Sequence, residues 1–462
     1  MPDSHTATTP APATTPEAAP KRSTEHVLVM DGLRGIAIVL VVLFHYWQMS
    51  FYVIPLPGKY DLQFVQYSGF LGVELFFFIS AFCLFLPVAS GRVPTLKRFA
   101  YRRAIKILPS YFLALLVFGF LITDLYPSTW EHGKFADLLM HLLFLQNMTD
   151  ATHGSFIGVL WSLAVEVQFY VFFPLLAWVF VRRPLPTAAV MIAISVFYRE
   201  WNRDGAADGL GIQADFLPAF LDLFAYGMLA AWMVAWVRRR PLAAMRVRAP
   251  LTAVAVLTFV VILFVFDWAE AIRGNIETGV WQSENRAYIG ALFTMLAVAS
   301  AFALPQWRAV LGNRVLVFFS TISYNLYLWH QAVGIFIIKR DWWPADTPVA
   351  TDDPQWRWSF FLVAVAASIA VATLVTYLFE RPFLHHGVRG TLARGQARLR
   401  NGGKLPAGFQ SIETPSEHAD HKAAEEAGEP ASLEEEVEAE AAAAVAEAEV
   451  GGPGGKAEPA AT

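Results

Sequence analysis

Ten apolar segments divide the chain, at about 30–49, 68–88, 107–125, 158–181, 185–200, 216–237, 250–268, 287–304, 315–338 and 358–379. Most approach the roughly 20 residues a helix needs to cross the hydrocarbon layer of a bilayer. Segment 185–200 is the shortest. The pattern predicts an all-α polytopic membrane protein of about ten transmembrane helices. A further apolar piece, Leu138–Leu145, is too short to span and is expected to be re-entrant or interfacial. Pro184, Pro241 and Pro382 follow basic segment ends and read as helix stops.

Composition agrees with the pattern. Of the 462 residues, 56% are hydrophobic and only 16% are charged, with a mean hydropathy of +0.43, which is outside the range of a soluble domain. The single cysteine, Cys83, excludes an internal disulfide and makes a Cys-based zinc site or an iron–sulfur cluster implausible. Residues 1–25 are rich in Pro, Ala and Thr and read as a disordered arm. Residues 388–462 begin basic and then turn acidic, and are expected to form a disordered cytoplasmic tail. The membrane domain is thus placed at 26–387. No cleavage site follows the first apolar run, so that run is expected to remain as a span.

Loop charges orient the bundle. With the N-terminus inside, the cytoplasmic connections carry Arg92, Lys97, Arg98, Arg102, Arg103, Lys106, Arg182, Arg183, Arg238, Arg239, Arg240, Arg246, Arg248, Arg308 and Arg314. The outer connections are longer and carry fewer cations, among them Lys59, Lys134, Arg199, Arg203 and Arg273. This asymmetry predicts a multi-pass protein of the plasma membrane with both termini cytoplasmic. Without the 185–200 span, Arg238–Arg240 would fall outside.

Against this background the ionisable residues inside apolar runs stand out, because such groups are costly in a membrane. The first segment reads Asp31-Gly-Leu-Arg34-Gly, followed by an apolar run to His45. Eleven helical steps separate Arg34 from His45. They span roughly 16–17 Å and return both side chains to nearly one face. A cation near one surface and an imidazole deep in the apolar layer thus share a helix. Glu74 sits in the second segment, where a carboxylate facing His45 would orient the imidazole. Arg103 and Lys106 are three residues apart, share a helix face, and suit a phosphate-bearing cofactor. Glu166 lies two turns into the fourth segment. The ninth carries Ser323-Tyr324-Asn325-Leu-Tyr327-Leu-Trp329-His330 in mid-span, and Glu380-Arg381-Pro382 follows the tenth, where an interfacial ion pair is expected.

In their order, these elements resemble the membrane-bound acyltransferase family 3, which O-acylates sugars and other envelope molecules. Arg34…His45 is similar to the family's Arg-x10-His element. Gly72-Val-Glu74…Ser80, Arg103-x-x-Lys106…Pro109, Trp161-Ser-Leu…Glu166…Phe169-Tyr170, Ser323-Tyr324…His330 and Glu380-Arg381-Pro382 follow in turn. Lys106 stands where the family usually has arginine, so the charge is kept without the forked geometry. Ala81 replaces a usual glycine.

The resemblance implies transfer of an acyl group, acetyl above all, from cytoplasmic acyl-CoA to a hydroxyl of a sugar-containing envelope molecule or exported metabolite, with no metal and no nucleic-acid partner. It implies His45 as general base, with Glu74 or Glu166 holding its tautomer. Arg34, Arg103 and Lys106 are then donor ligands, and Trp161, Tyr324, Tyr327 and His330 substrate contacts. A proton-coupled transporter would also place carboxylates and histidines in the membrane, but repeated halves and Gly/Pro-broken helices are not evident in the sequence.

Overall fold

A computed structural model describes residues 25–122, 133–203, 211–240, 247–273 and 278–385, together with 387, 388, 391 and 394. The expected arm, apart from Glu25, and nearly all of the expected tail lie outside the described residues, as does Pro241.

The long apolar runs become helices because a helix satisfies its own backbone hydrogen bonds where no water can do so. Among the described residues ten helices have 18 residues or more: α1 Glu25–Ser50, α2 Leu71–Ala89, α3 Leu96–Leu116, α4 Leu160–Arg182, α5 Pro184–Arg203, α6 Leu221–Arg238, α7 Arg248–Ala271, α8 Thr278–Ala301, α9 Arg314–Lys339 and α10 Pro354–Val375. Seven of these, α1–α4, α6, α7 and α10, are long and apolar enough to cross a membrane. The other three lack an uninterrupted apolar stretch of that length and pack among them. Among the described residues no strand forms, and Pro55 pairs with Asp61 in an isolated antiparallel bridge.

Helix starts carry local signals. Thr95, Asn313 and Asp353 cap α3, α9 and α10 with side-chain oxygens that accept from the first turn. Pro184 opens α5 instead of stopping α4 beyond its end, as befits a residue that has no N–H to lose at a first turn. Pro382 does not stop its helix either. The last turn of α10 widens into a π-turn over Thr376–Glu380, and residues 381–385 remain helical. A wider turn relieves the clash between the proline ring and the preceding carbonyl.

Helix α1 lies at the centre, packed against α2, α9 and α10. Its motif glycines allow this closeness. A Cβ on Gly32 would strike the carbonyl oxygen of Leu311, and one on Gly35 that of Leu316. Ala81 of α2 meets Gly227 of α6 in the same manner. Three apolar clusters surround these crossings, and the ring of Tyr327 packs against all three.

Hydrogen bonds define two ends. At one, the lysine side chain of Lys106 reaches Glu380, and Arg239 reaches the Ala89 carbonyl. At the other, Gln63 donates to Glu270 at 2.8 Å and Asn147 to the Asp215 carbonyl at 2.8 Å. The expected interfacial piece near Leu138 is a nine-residue helix, Lys134–Leu142, at this second end.

Candidate active site

Two imidazoles, one from α1 and one from α9, meet inside the bundle. His45 Nδ1 lies 2.9 Å from the Val41 carbonyl oxygen and 3.2 Å from His330 Nε2. His330 Nδ1 lies 2.9 Å from the carbonyls of both Leu326 and Tyr327. A carbonyl oxygen only accepts, so each Nδ1 carries a hydrogen. His330 Nε2 then holds a lone pair and accepts from His45 Nδ1–H. The remaining nitrogen, His45 Nε2, has its lone pair free and no protein partner among the described residues. Neighbouring Tyr46 donates to the His330 carbonyl at 2.7 Å and is met by the Ser368 hydroxyl at 2.5 Å. Consecutive residues of α1 therefore fix both ends of His330. His330 is fully buried, while His45 keeps accessible surface.

The two carboxylates expected beside His45 make their bonds elsewhere. Glu166 Oε1 accepts from Ser80 at 2.6 Å and from Tyr170 at 2.5 Å, and the two hydroxyls are 3.0 Å apart. Glu74 is fully buried and accepts from Arg286 Nε at 2.9 Å. The imidazole of His330, read in the sequence only as a substrate contact, is the side chain that touches His45.

Toward the other end, Arg34 Nη1 lies 3.1 Å from Asp31 and Nη2 3.5 Å from Cys83 Sγ. Arg34 keeps 30% of its side chain accessible. It lies close enough to Glu166 and Tyr170 to act on both electrostatically. The Arg103 guanidinium carbon stands 5.9 Å from the centre of the Tyr170 ring, on the same polar group. Arg34, Cys83, Ser80, Glu166, Tyr170 and Arg103 thus form one cluster, supplied by α1, α2, α3 and α4.

Lys106 belongs to a neighbouring group. It pairs with Glu380, which also accepts from Asn325, and Asn325 donates to Thr376 at 2.9 Å. The π-turn brings Thr376 and Glu380 to the same amide. Glu380 therefore pairs with a lysine 274 residues away and not with Arg381, whose guanidinium carbon lies 4.1 Å over the Tyr377 ring. The hydroxyl of Tyr324 donates to the Ile107 carbonyl at 2.8 Å. That of Tyr327 meets Ser162 at 2.5 Å, and its ring centre lies 6.1 Å from that of His330. Trp161 precedes Ser162 at the start of α4 and stacks beside His153.

Arg199 and Arg286 escaped the sequence reading as interior residues, whereas Asp222 stands out in the sequence as an ionisable residue within the sixth apolar segment. Asp222 pairs with Arg199 at 2.8 Å, all but enclosed, next to the Glu74–Arg286 pair. The Ala219 carbonyl accepts from Ser195 at 2.9 Å, Arg199 at 2.7 Å and Arg286 at 3.0 Å. Helix α8 starts at Thr278, before the 287 boundary, because Arg286 is satisfied inside the bundle. Among the described residues no group of three or more His, Cys, Asp or Glu is arranged to hold a metal.

Comparison with known proteins bears on this arrangement. The family model described as an acyltransferase domain matches residues 27–377, a stretch that contains every residue of the imidazole pair and of the Arg34–Glu166 cluster. A candidate O-acetyltransferase of Staphylococcus aureus is 25% identical over 384 residues, covering 78% of this chain and 58% of its own length. The peptidoglycan O-acetyltransferase OatA of Listeria monocytogenes is 22% identical over 393 residues, covering 79% and 57%. A candidate acetyltransferase of Acidianus two-tailed virus is 25% identical over 301 residues, covering 64% and 80%. The chain thus spans a little under three-fifths of the length of the two bacterial relatives. No solved structure matches it. With its family model running from within α1 into the π-turn of α10, this chain belongs to the membrane-bound acyltransferase family 3.

Proposed function

We propose that the protein transfers an acyl group, acetyl in the first instance, from cytoplasmic acyl-CoA to a hydroxyl of a sugar-containing envelope molecule. The observation that carries this reading is the free lone pair on His45 Nε2, about three turns along the same helix face from Arg34. In this scheme Nε2 takes the proton of the acceptor hydroxyl. The oxygen attacks the thioester carbonyl carbon, the carbon–sulfur bond breaks, and the leaving thiolate takes the proton back from the imidazolium. His330 accepts from Nδ1–H throughout and stabilises the transient cation, much as a carboxylate does in serine hydrolases.

Arg34 and Arg103 are the donor-side cations, suited by their guanidinium groups to CoA phosphates. Lys106 is a weaker candidate because Glu380 already engages it. Glu166, with Ser80 and Tyr170, lines the path of the pantetheine arm between the cations and His45. Glu74 serves the bundle through Arg286. The basic connections on the Arg34 side support a cytoplasmic donor end. The similarity to a peptidoglycan O-acetyltransferase favours an envelope glycan as acceptor.

Purified full-length chain in lipid nanodiscs, given acetyl-CoA labelled in the acetyl group and a glycan acceptor, should release free CoA thiol and form a base-labile ester. Failure to consume acetyl-CoA with any hydroxyl acceptor would sink the reading. Mass spectrometry of envelope glycans and lipids from a deletion strain identifies the natural acceptor.

A further inference from the structure

At the end of the bundle nearest His45, three side chains from separate elements meet outside the sites described above. His153 Nε2 lies 2.6 Å from Asp215 Oδ2, and the two side chains keep 29% and 24% of their surface accessible. The His153 ring runs parallel to the indole of Trp161, at 12° and 6.2 Å between centres. The other neighbour of that indole is Phe220, at 5.8 Å. None of this was singled out in the sequence beyond Trp161 itself.

The cluster is held from behind. Asn147, fully buried, donates to the Asp215 carbonyl at 2.8 Å and accepts from Gln168 of α4 at 2.8 Å. Arg286 stacks on Phe220, its guanidinium carbon 4.1 Å from the ring centre. The front is chemically open. Asp215 Oδ1, Trp161 Nε1 and His153 Nδ1 make no protein hydrogen bond among the described residues. A carboxylate oxygen, an indole N–H and an imidazole nitrogen beside an aromatic wall recognise a molecule with hydroxyls on its rim and C–H groups on its face. That is the surface of a pyranose ring.

The position leads to the base. Ser162, adjacent to Trp161, meets the Tyr327 hydroxyl at 2.5 Å. Asp215 acts electrostatically on that same hydroxyl, and the Tyr327 ring neighbours His330, which holds His45. We infer that Trp161, His153 and Asp215 form a sugar-binding subsite that holds the acceptor ring next to the one being acylated. The inference rests on the acyl-transfer reading above and adds to it the residues that hold the acceptor and its point of entry.

Full-length protein in nanodiscs tests it with acetyl-CoA as donor and chitotetraose, a β-1,4-linked N-acetylglucosamine tetramer, as probe. Asp215→Asn and His153→Gln should each raise the chitotetraose KM at least tenfold and leave the acetyl-CoA Kd within twofold. Trp161→Phe keeps the wall but loses the N–H donor, and should raise KM several-fold. Calorimetric titration of chitotetraose should give the same order. An unchanged KM in both polar variants would overturn the subsite. A parallel loss of acetyl-CoA binding would overturn it too, because it would mark the cluster as a structural tie. If wild-type protein acylates a simple apolar alcohol but neither binds nor acylates chitotetraose, the sugar inference fails and the acyl-transfer reading stands. If it consumes no acetyl-CoA with either acceptor, the acyl-transfer reading itself fails.

Discussion

His330 Nε2 accepts from His45 Nδ1 across 3.2 Å, so a neutral imidazole occupies the place where a carboxylate was expected. Neutral support suits an apolar interior, where an unpaired carboxylate would need a costly counter-charge. It also makes His330 a positioning residue for the base. His45→Ala should lower kcat by about 10²–10⁴-fold, the usual worth of a general base. His330→Ala should cost less, and the double variant little more than His45→Ala alone, because residues that act as a unit are non-additive. Acetyl-CoA Kd, measured alongside, should stay near the wild-type value in all three. Near-normal kcat in His45→Ala would remove the base assignment.

Arg34→Ala should raise acetyl-CoA KM with a smaller effect on kcat. Its guanidinium is held by Asp31 and stays partly accessible, so it is free to meet a phosphate. Arg34→Lys should rescue only partly, since a point charge cannot form the paired bonds of a guanidinium. Full rescue by lysine would show that charge alone matters there.

Lys106→Ala should destabilise the protein more than it weakens donor binding. The change leaves Glu380, only 1% accessible, without its cation. Breaking a buried pair from one side costs about 3–5 kcal/mol. Adding Glu380→Gln should restore much of the thermal stability without restoring the lysine. A large rise in donor KM, with unchanged melting, would instead return Lys106 to the donor site.

Glu74→Gln or Arg286→Leu alone should lower the melting temperature sharply, by the same reasoning and at about the same cost. The paired change Glu74→Leu with Arg286→Met should recover most of it. An effect of Glu74→Gln on kcat with no effect on melting would show that the carboxylate takes part in the chemistry.

Gly35→Ala should both destabilise the fold and raise the donor KM. The added methyl would strike a main-chain oxygen of Leu316, which no rotamer change can move away. Relief requires α1 to retreat from α9, and Arg34 is the adjacent residue. Thermal unfolding and donor titration on the same sample separate the two effects.

How much of this was legible depends on the distance over which each signal acts. The ten apolar runs and the shared face of Arg34 and His45 are local properties of helical spacing, and they could be read from the chain. The pairing of Lys106 with Glu380 spans 274 residues, and that of Glu74 with Arg286 spans 212. Nothing periodic announces such partners. Arg199 looked like a solvated charge because it lies at a segment end, where positive charge is ordinary, and Arg286, just before the 287 boundary, carried no signal of its own. Ser80 gave no hint of Glu166, since the two helices meet only in three dimensions. The His45–His330 pair was half visible: both residues were marked, but not their contact.

The Ala219 carbonyl receives a hydroxyl and two guanidinium groups, from α5 and α8. Because that oxygen belongs to the main chain, no substitution at residue 219 can delete it. Mutational scanning of this region should therefore find sensitivity at Arg199, Arg286, Asp222 and Glu74, yet tolerance of other small residues at the atom's own position. The keystone of the network would be invisible to genetics, known only by the outline of the residues that lean on it.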